Sequence, residues 1–96
     1  MFIVSLSYTA PLTEVDAHLA AHRGYLAAQY AAGVFLMSGA KVPREGGIIL
    51  AHAPSRAALD TILSEDPFAL AGLARYEITE FTPTMTAEAL SAWRAR

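Results

Sequence analysis

The chain contains no cysteine, which removes disulfides, thiolate nucleophiles and cysteine-based zinc sites and suits a reducing compartment, so cytoplasm is the default expectation. Charge is scarce: 17% of the residues are charged and 54% are hydrophobic, an apolar-rich balance for a soluble domain. Seven Lys and Arg stand against nine Asp and Glu, for a net charge of −2, with no basic cluster. The electrostatic footprint of a nucleic-acid binder is therefore missing, and no nucleic-acid partner is expected. Mean hydropathy is positive, yet no apolar run approaches the ~20 residues that span a bilayer, so no membrane role is expected either. Met1 to Tyr8 lack a basic n-region and alternate like a strand, which places them in the fold and not in a signal peptide. No repeat, linker or low-complexity segment interrupts the chain.

With 96 residues the sequence reads as one domain over residues 1–96, small enough that much of its surface would stay wet if it stood alone. The apolar excess then points to a second copy of the chain, a homodimer or a higher homo-oligomer.

Phe2, Val4, Leu6 and Tyr8 fall on one face of an extended segment and Ile3, Ser5 and Ser7 on the other, the period of a half-buried strand. Thr9 to Thr13 turn the chain. From Leu12 to Ala32, Val15, Leu19, His22, Leu26 and Tyr30 recur at helical spacing among abundant alanine, and Gly33 is a natural stop. Val34 to Ala40 and Gly47 to Ala53 predict a hairpin across the loop Lys41 to Gly46. Ser55 is a candidate N-cap for a second helix with Leu59, Ile62 and Leu63 inward, ending before Pro67. Leu73 to Thr82 alternate as a fourth strand. Thr86 is a candidate cap for a short C-terminal helix, with Met85 and Leu90 as a hydrophobic staple and Trp93 on the same side.

The order βαββαβ with short connections predicts an α+β, ferredoxin-like fold, a four-stranded antiparallel sheet with both helices on one face. Several strands carry apolar residues on both faces, so the second face needs a cover, and a second sheet would make a dimeric α+β barrel with a cavity between the sheets.

Several motifs arrive in order along this pattern: His22-Arg23 on the first helix, Ser38-Gly39, Pro43-Arg44, Gly46-Gly47, then Asp66-Pro67-Phe68, Gly72 and the Tyr76 to Phe81 strand. Together they resemble the YCII-related (YciI-like) proteins over nearly the whole chain except the last helix. The resemblance implies dimers of the ferredoxin-like α+β barrel type, mostly without an assigned reaction, in which a histidine and an aspartate are proposed as the active site. Relatives include a chloromuconolactone dehalogenase. By that resemblance His22 and Asp66 take the candidate catalytic roles, and Arg44 is a position that family members share. Ala40-Lys41 departs from the Gly-Pro that members often carry, at the rim of the expected pocket.

An imidazole and a carboxylate that meet can form a proton-transfer dyad, because the acid fixes the ring's tautomer. His22 lies in the apolar stripe; its alternative is a core or interface histidine bound to a carbonyl. Asp66 before Pro67 is also what an N-cap of a one-turn helix through Ala69 or Leu70 looks like, and a carboxylate has two oxygens with which to hold both roles. His18 and His22 have metal-ligand spacing and His52 is a third nitrogen, but no His-Glu-x-x-His signature occurs, so neither metal nor other cofactor is expected. Lys41 and Arg44 flank a glycine-rich turn that could hold an anionic substrate or simply be solvated. Ser5, Ser7 and Ser38 read as cavity or edge residues without a nucleophile elbow, while Tyr8 and Tyr76 are phenols over a pocket or core aromatics with a wet tip.

Three functional readings follow. In the first, a small-molecule enzyme of the lyase or isomerase type uses His22 as base or acid and Asp66 to orient it, with Ser38, Arg44 and Tyr8 contacting a carboxylate-bearing substrate in the cavity of the dimeric barrel. In the second, the cavity holds a metabolite without turnover, or the dimer is an interaction module. A cofactor-free monooxygenase is a third reading by fold analogy alone.

Overall fold

The computed structural model describes residues 1–95; Arg96, the last residue of the expected domain, lies outside them. Strand β1 (Phe2–Tyr8) is followed by helices α1 (Leu12–Ala17) and α2 (Leu19–Ala31), strands β2 (Phe35–Ala40) and β3 (Gly46–Ala51), helices α3 (Arg56–Leu63) and α4 (Pro67–Leu70), and strand β4 (Ala74–Glu80). The strands form one antiparallel sheet in the order β2-β3-β1-β4, the ferredoxin-like topology.

Register sorts the side chains. Phe2, Val4 and Leu6 stand opposite Ala51, Ile49 and Gly47 on one side and Glu80, Ile78 and Tyr76 on the other, so these residues share the face that the helices cover. Phe2, Val4, Val15, Phe35, Leu59 and Phe68 are almost completely buried there, each burial stabilising the fold by about 1.5–3 kcal/mol.

The helix expected over Leu12 to Ala32 is interrupted at His18 (φ −104°, ψ 2°). The ring of His18 donates through Nδ1 to the Glu14 carbonyl at 3.1 Å, the acceptor that an unbroken helix would offer to the His18 amide, and that amide turns instead to the Val15 carbonyl. A side chain competing for a backbone acceptor breaks the ladder. Gly33 ends α2 with φ +77°, a left-handed conformation that costs glycine nothing. In β2 a bulge between Phe35 and Met37 lets both Phe35 and Ser38 face the helices.

The other sheet face carries Ile3, Leu36, Met37, Ile48 and Leu50. It is partly covered by the chain itself: after β4 the backbone runs back across the sheet toward β3 and β2, and Trp93 meets the ring of His52 at 5.4 Å. The expected Thr86-capped helix is instead a 3₁₀ helix, Glu88–Trp93, preceded by Ala87 and without a side-chain cap. The Thr86 hydroxyl is buried without a hydrogen-bond partner among the described residues, and Met85 is 88% exposed, so the staple does not form either. Leu90 bonds back to the Ala87 carbonyl three residues earlier, the tighter repeat of a short segment shaped by the sheet beneath it.

Among the described residues no helix is long and apolar enough to cross a membrane.

Candidate functional site

Two local rules bring Asp66 to the site. Pro67 disfavours the helical region for the residue before it, and Asp66 is extended (φ −60°, ψ 127°), with Pro67 opening α4. The Asp66 carboxylate then caps α4, Oδ1 accepting the Phe68 amide at 3.0 Å. On the facing helix, His22 sits where α2 turns toward the sheet, and its Nδ1 donates to the same Oδ1 at 2.7 Å. The expectation that two carboxylate oxygens divide the capping and dyad roles is thus corrected: one oxygen serves both. The second oxygen, Oδ2, accepts the hydroxyl of Tyr76 at 2.6 Å.

Asp66 is fully buried and the His22 side chain is 11% exposed. Among the described residues three groups able to donate reach the carboxylate, which offsets the cost of burying it. Because Oδ1 accepts, Nδ1 of His22 carries a proton, and in the neutral ring Nε2 is left as the base. No described residue bonds Nε2, and it is absent from the buried unsatisfied atoms, so it is reached from outside, on a ring that lines the cavity.

The imidazole lies flat on Phe68, centroids 3.9 Å apart and planes 9° from parallel, so both the ring's tilt and its in-plane rotation are held. Burial first, then the hydrogen bond to Asp66 and the charges of Asp66 and Tyr25, keep the Tyr76 hydroxyl protonated well beyond the ordinary phenol range. Tyr25, which donates to the Ile62 carbonyl at 2.8 Å, is shifted the same way, by burial first and then by the charges of Asp66 and Glu65.

The cavity beside His22 measures about 380 Å³ and lies between α2 and the β2–β3 end of the sheet, which corrects the expectation of a site between two sheets: His22 is on the helix layer, so its cavity lies on the helix side. His22, Ser38, Arg44 and Tyr8, four of the five residues given catalytic or substrate-binding roles from the sequence, all line it, and the fifth, Asp66, holds the His22 ring. Besides His22, two of the four are already engaged. The Ser38 hydroxyl lies 2.5 Å from that of Tyr30, and Arg44 Nη2 donates to Asp16 Oδ1 at 2.5 Å, a bond that holds the Asp16 carboxyl below its usual range. Lys41 turns away to the Ser7 hydroxyl at 3.2 Å. The three histidines stand in separate places: His18 on the Glu14 carbonyl, His22 on Asp66 and His52 against Trp93.

Sequence reasoning missed the role of Tyr76 on Asp66 and the Phe68 stack. A signal for the first existed: Tyr76 is the one polar-tipped residue between Ala74 and Ile78 on an otherwise apolar strand face, and a buried phenol needs a partner.

A βαββαβ sheet carrying a buried His–Asp pair beside a small cavity describes a class of small α+β proteins, and the comparisons narrow it. The model of the YCII-related domain matches residues 1–82; the chain belongs to the YCII-related family. The family match ends at the turn into the C-terminal segment. Among solved structures, the 5-chloro-2-hydroxyhydroquinone dehydrochlorinase of Burkholderia phenoliruptrix AC1100, in complex with 2,5-dihydroxybenzoquinone, is similar, with a TM-score of 0.72, 20% identity, and coverage of 85% of this chain and 94% of that one. That likeness is one of fold. A search of curated proteins finds no match.

Proposed function

We propose that this protein is a small-molecule enzyme of the lyase or isomerase type, in which His22 moves a proton and Asp66 orients it. The observation that carries the reading is the 2.7 Å bond from His22 Nδ1 to a fully buried Asp66, which leaves Nε2 as a base facing a ligand-sized cavity. Nε2 takes a proton from the substrate, and the electron pair of the broken bond becomes a new π bond. Either a leaving group departs with its electrons, or the proton returns at another atom. Ser38, Arg44 and Tyr8, which line the same cavity, are the substrate contacts in this reading. The fold neighbour is named for a dehydrochlorination, a loss of proton and chloride of this kind.

A base positioned in this way contributes about 10²–10⁴-fold. The test is a panel of chlorinated hydroxyquinols, related dihydroxyphenols and unsaturated lactones, followed by chloride release and product spectra. Turnover that falls by that factor in His22→Ala supports the reading; turnover indifferent to His22→Ala defeats it. A ligand that saturates and is recovered unchanged would favour the metabolite-binding module.

The reading includes a homodimer formed through the open sheet face, where Ile3, Ile48 and Met37 are 41%, 40% and 64% exposed; apolar area of this kind marks an interface. Light scattering should then give twice the chain mass, and Ile3→Glu should halve it. A cysteine-free chain suits the reducing cytoplasm as its location.

A further inference from the structure

The chain as a whole is acidic, with nine Asp and Glu against seven Lys and Arg, but the cavity beside His22 reverses that balance. Two arginines, Arg23 and Arg44, line it, and among the described residues no Asp or Glu does. The two cations differ in standing. Arg44 is spoken for by Asp16 at the rim. Arg23, next to His22 on α2, has no hydrogen-bond or ion-pair partner among the described residues, so its five donors are free to meet a ligand. Behind them the wall is apolar: Leu6, Leu19, Leu26 and Ile49. A cationic mouth over an apolar floor draws negative charge from solvent and lets the carbon frame behind it leave water.

We infer that the cavity selects a small organic anion, its carboxylate or phenolate gripped by Arg23 and its carbon frame laid against Leu6, Leu26 and Ile49. The volume of about 380 Å³ lies at the small end of ligand pockets, roughly 300–1,000 Å³, and suits a molecule of one ring. Arg23 is then the residue that selects the charge, and Arg44, tied to Asp16, contacts the ligand from the rim. The inference rests on the cavity being the substrate site proposed above, and it names the charge class of what enters.

The experiment reads binding alone, so that it fails separately from the proposed chemistry. Benzoate and its neutral counterpart benzamide are titrated into the full chain, followed by NMR shifts of the His22 ring and of α2 amides. Benzoate should bind about tenfold or more tightly than benzamide, the scale of one charge-assisted hydrogen bond, and the preference should weaken with added salt. Arg23→Gln should abolish the preference and Arg23→Lys should restore part of it, with amide spectra otherwise unchanged because Arg23 is exposed. His22→Ala should keep the preference even where it removes turnover. Equal binding of the two probes, no saturable binding of benzoate, a preference that survives Arg23→Gln, or one lost only in Arg44→Gln each overturns the inference.

Discussion

Tyr76 donates its hydroxyl to Asp66 Oδ2 at 2.6 Å, on the oxygen opposite the one that holds His22. The carboxylate is thereby fixed from three sides, by a helix amide, a strand phenol and the imidazole it orients. Tyr76 is a positioning residue: it touches Asp66 and reaches the cavity only through it. Tyr76→Phe keeps the ring and strips one bond from a buried carboxylate, a loss of about 1–3 kcal/mol. Urea denaturation should show that loss, and a variant as stable as the wild type would mean that water or another donor fills the gap.

The same phenol makes a prediction about alkaline pH. Burial foremost, with the Asp66 bond and charge after it, holds Tyr76 protonated beyond the usual tyrosine range, and burial does the same for Tyr25. The unfolded chain releases these protons near pH ~10 while the folded chain retains them. Their contribution to stability is therefore complete below that pH and is lost as pH rises above it. Urea midpoints measured from about pH 8 upward should fall beyond about pH 10, less steeply in Tyr76→Phe. Equal slopes in the two proteins would sink the assignment.

His22 should exist, when neutral, as the Nδ1–H tautomer, because Asp66 Oδ1 accepts from that nitrogen at 2.7 Å. Long-range proton–nitrogen correlation spectra distinguish a protonated ring nitrogen from a bare one, and Nε2 should show the bare signature. Asp66→Asn retains the shape and offers the ring an amide in place of a carboxylate, so the tautomer preference should weaken and any turnover should drop with it. A wild-type ring protonated at Nε2 would remove the proposed base.

Gly46 and Gly47 make a contrasting pair. A Cβ on Gly46 would stand 1.8 Å from the Leu6 carbonyl oxygen, against backbone that cannot yield, whereas one on Gly47 would stand 3.1 Å from the Gly39 carbonyl. Gly46→Ala forces β1 and β3 apart at the cavity wall and should cost at least about 1–3 kcal/mol, the usual scale of overpacking. Gly47→Ala should cost less. Thermal unfolding of the two variants side by side checks the order.

Much of this molecule is legible along the chain. Phe2, Val4 and Leu6 alternate because a strand has period two, Ser55 caps α3 through its hydroxyl on the Ala58 amide, and the Asp66-Pro67 pair announces the start of α4; each is a local rule. What failed did so where a distant or competing partner intervened. The break at His18 comes from a side chain taking a backbone acceptor, the β2 bulge from pairing with β3, and the 3₁₀ turn near Trp93 from the sheet it crosses. Helical periodicity in Leu12 to Ala32 contains none of these.

The chain by itself determined the order of elements, the inward faces of the strands and the cap at Asp66, because propensity, period and capping act within a few residues. Only the tertiary structure decided that Asp66, 44 residues from His22, offers one oxygen to both its cap and the imidazole, that Tyr76 takes the other, and that Arg23 stands at the cavity with no ion-pair partner among the described residues. Those outcomes depend on distances and burial between elements remote in sequence, and a buried carboxylate collects whatever donors the packing brings within hydrogen-bond reach.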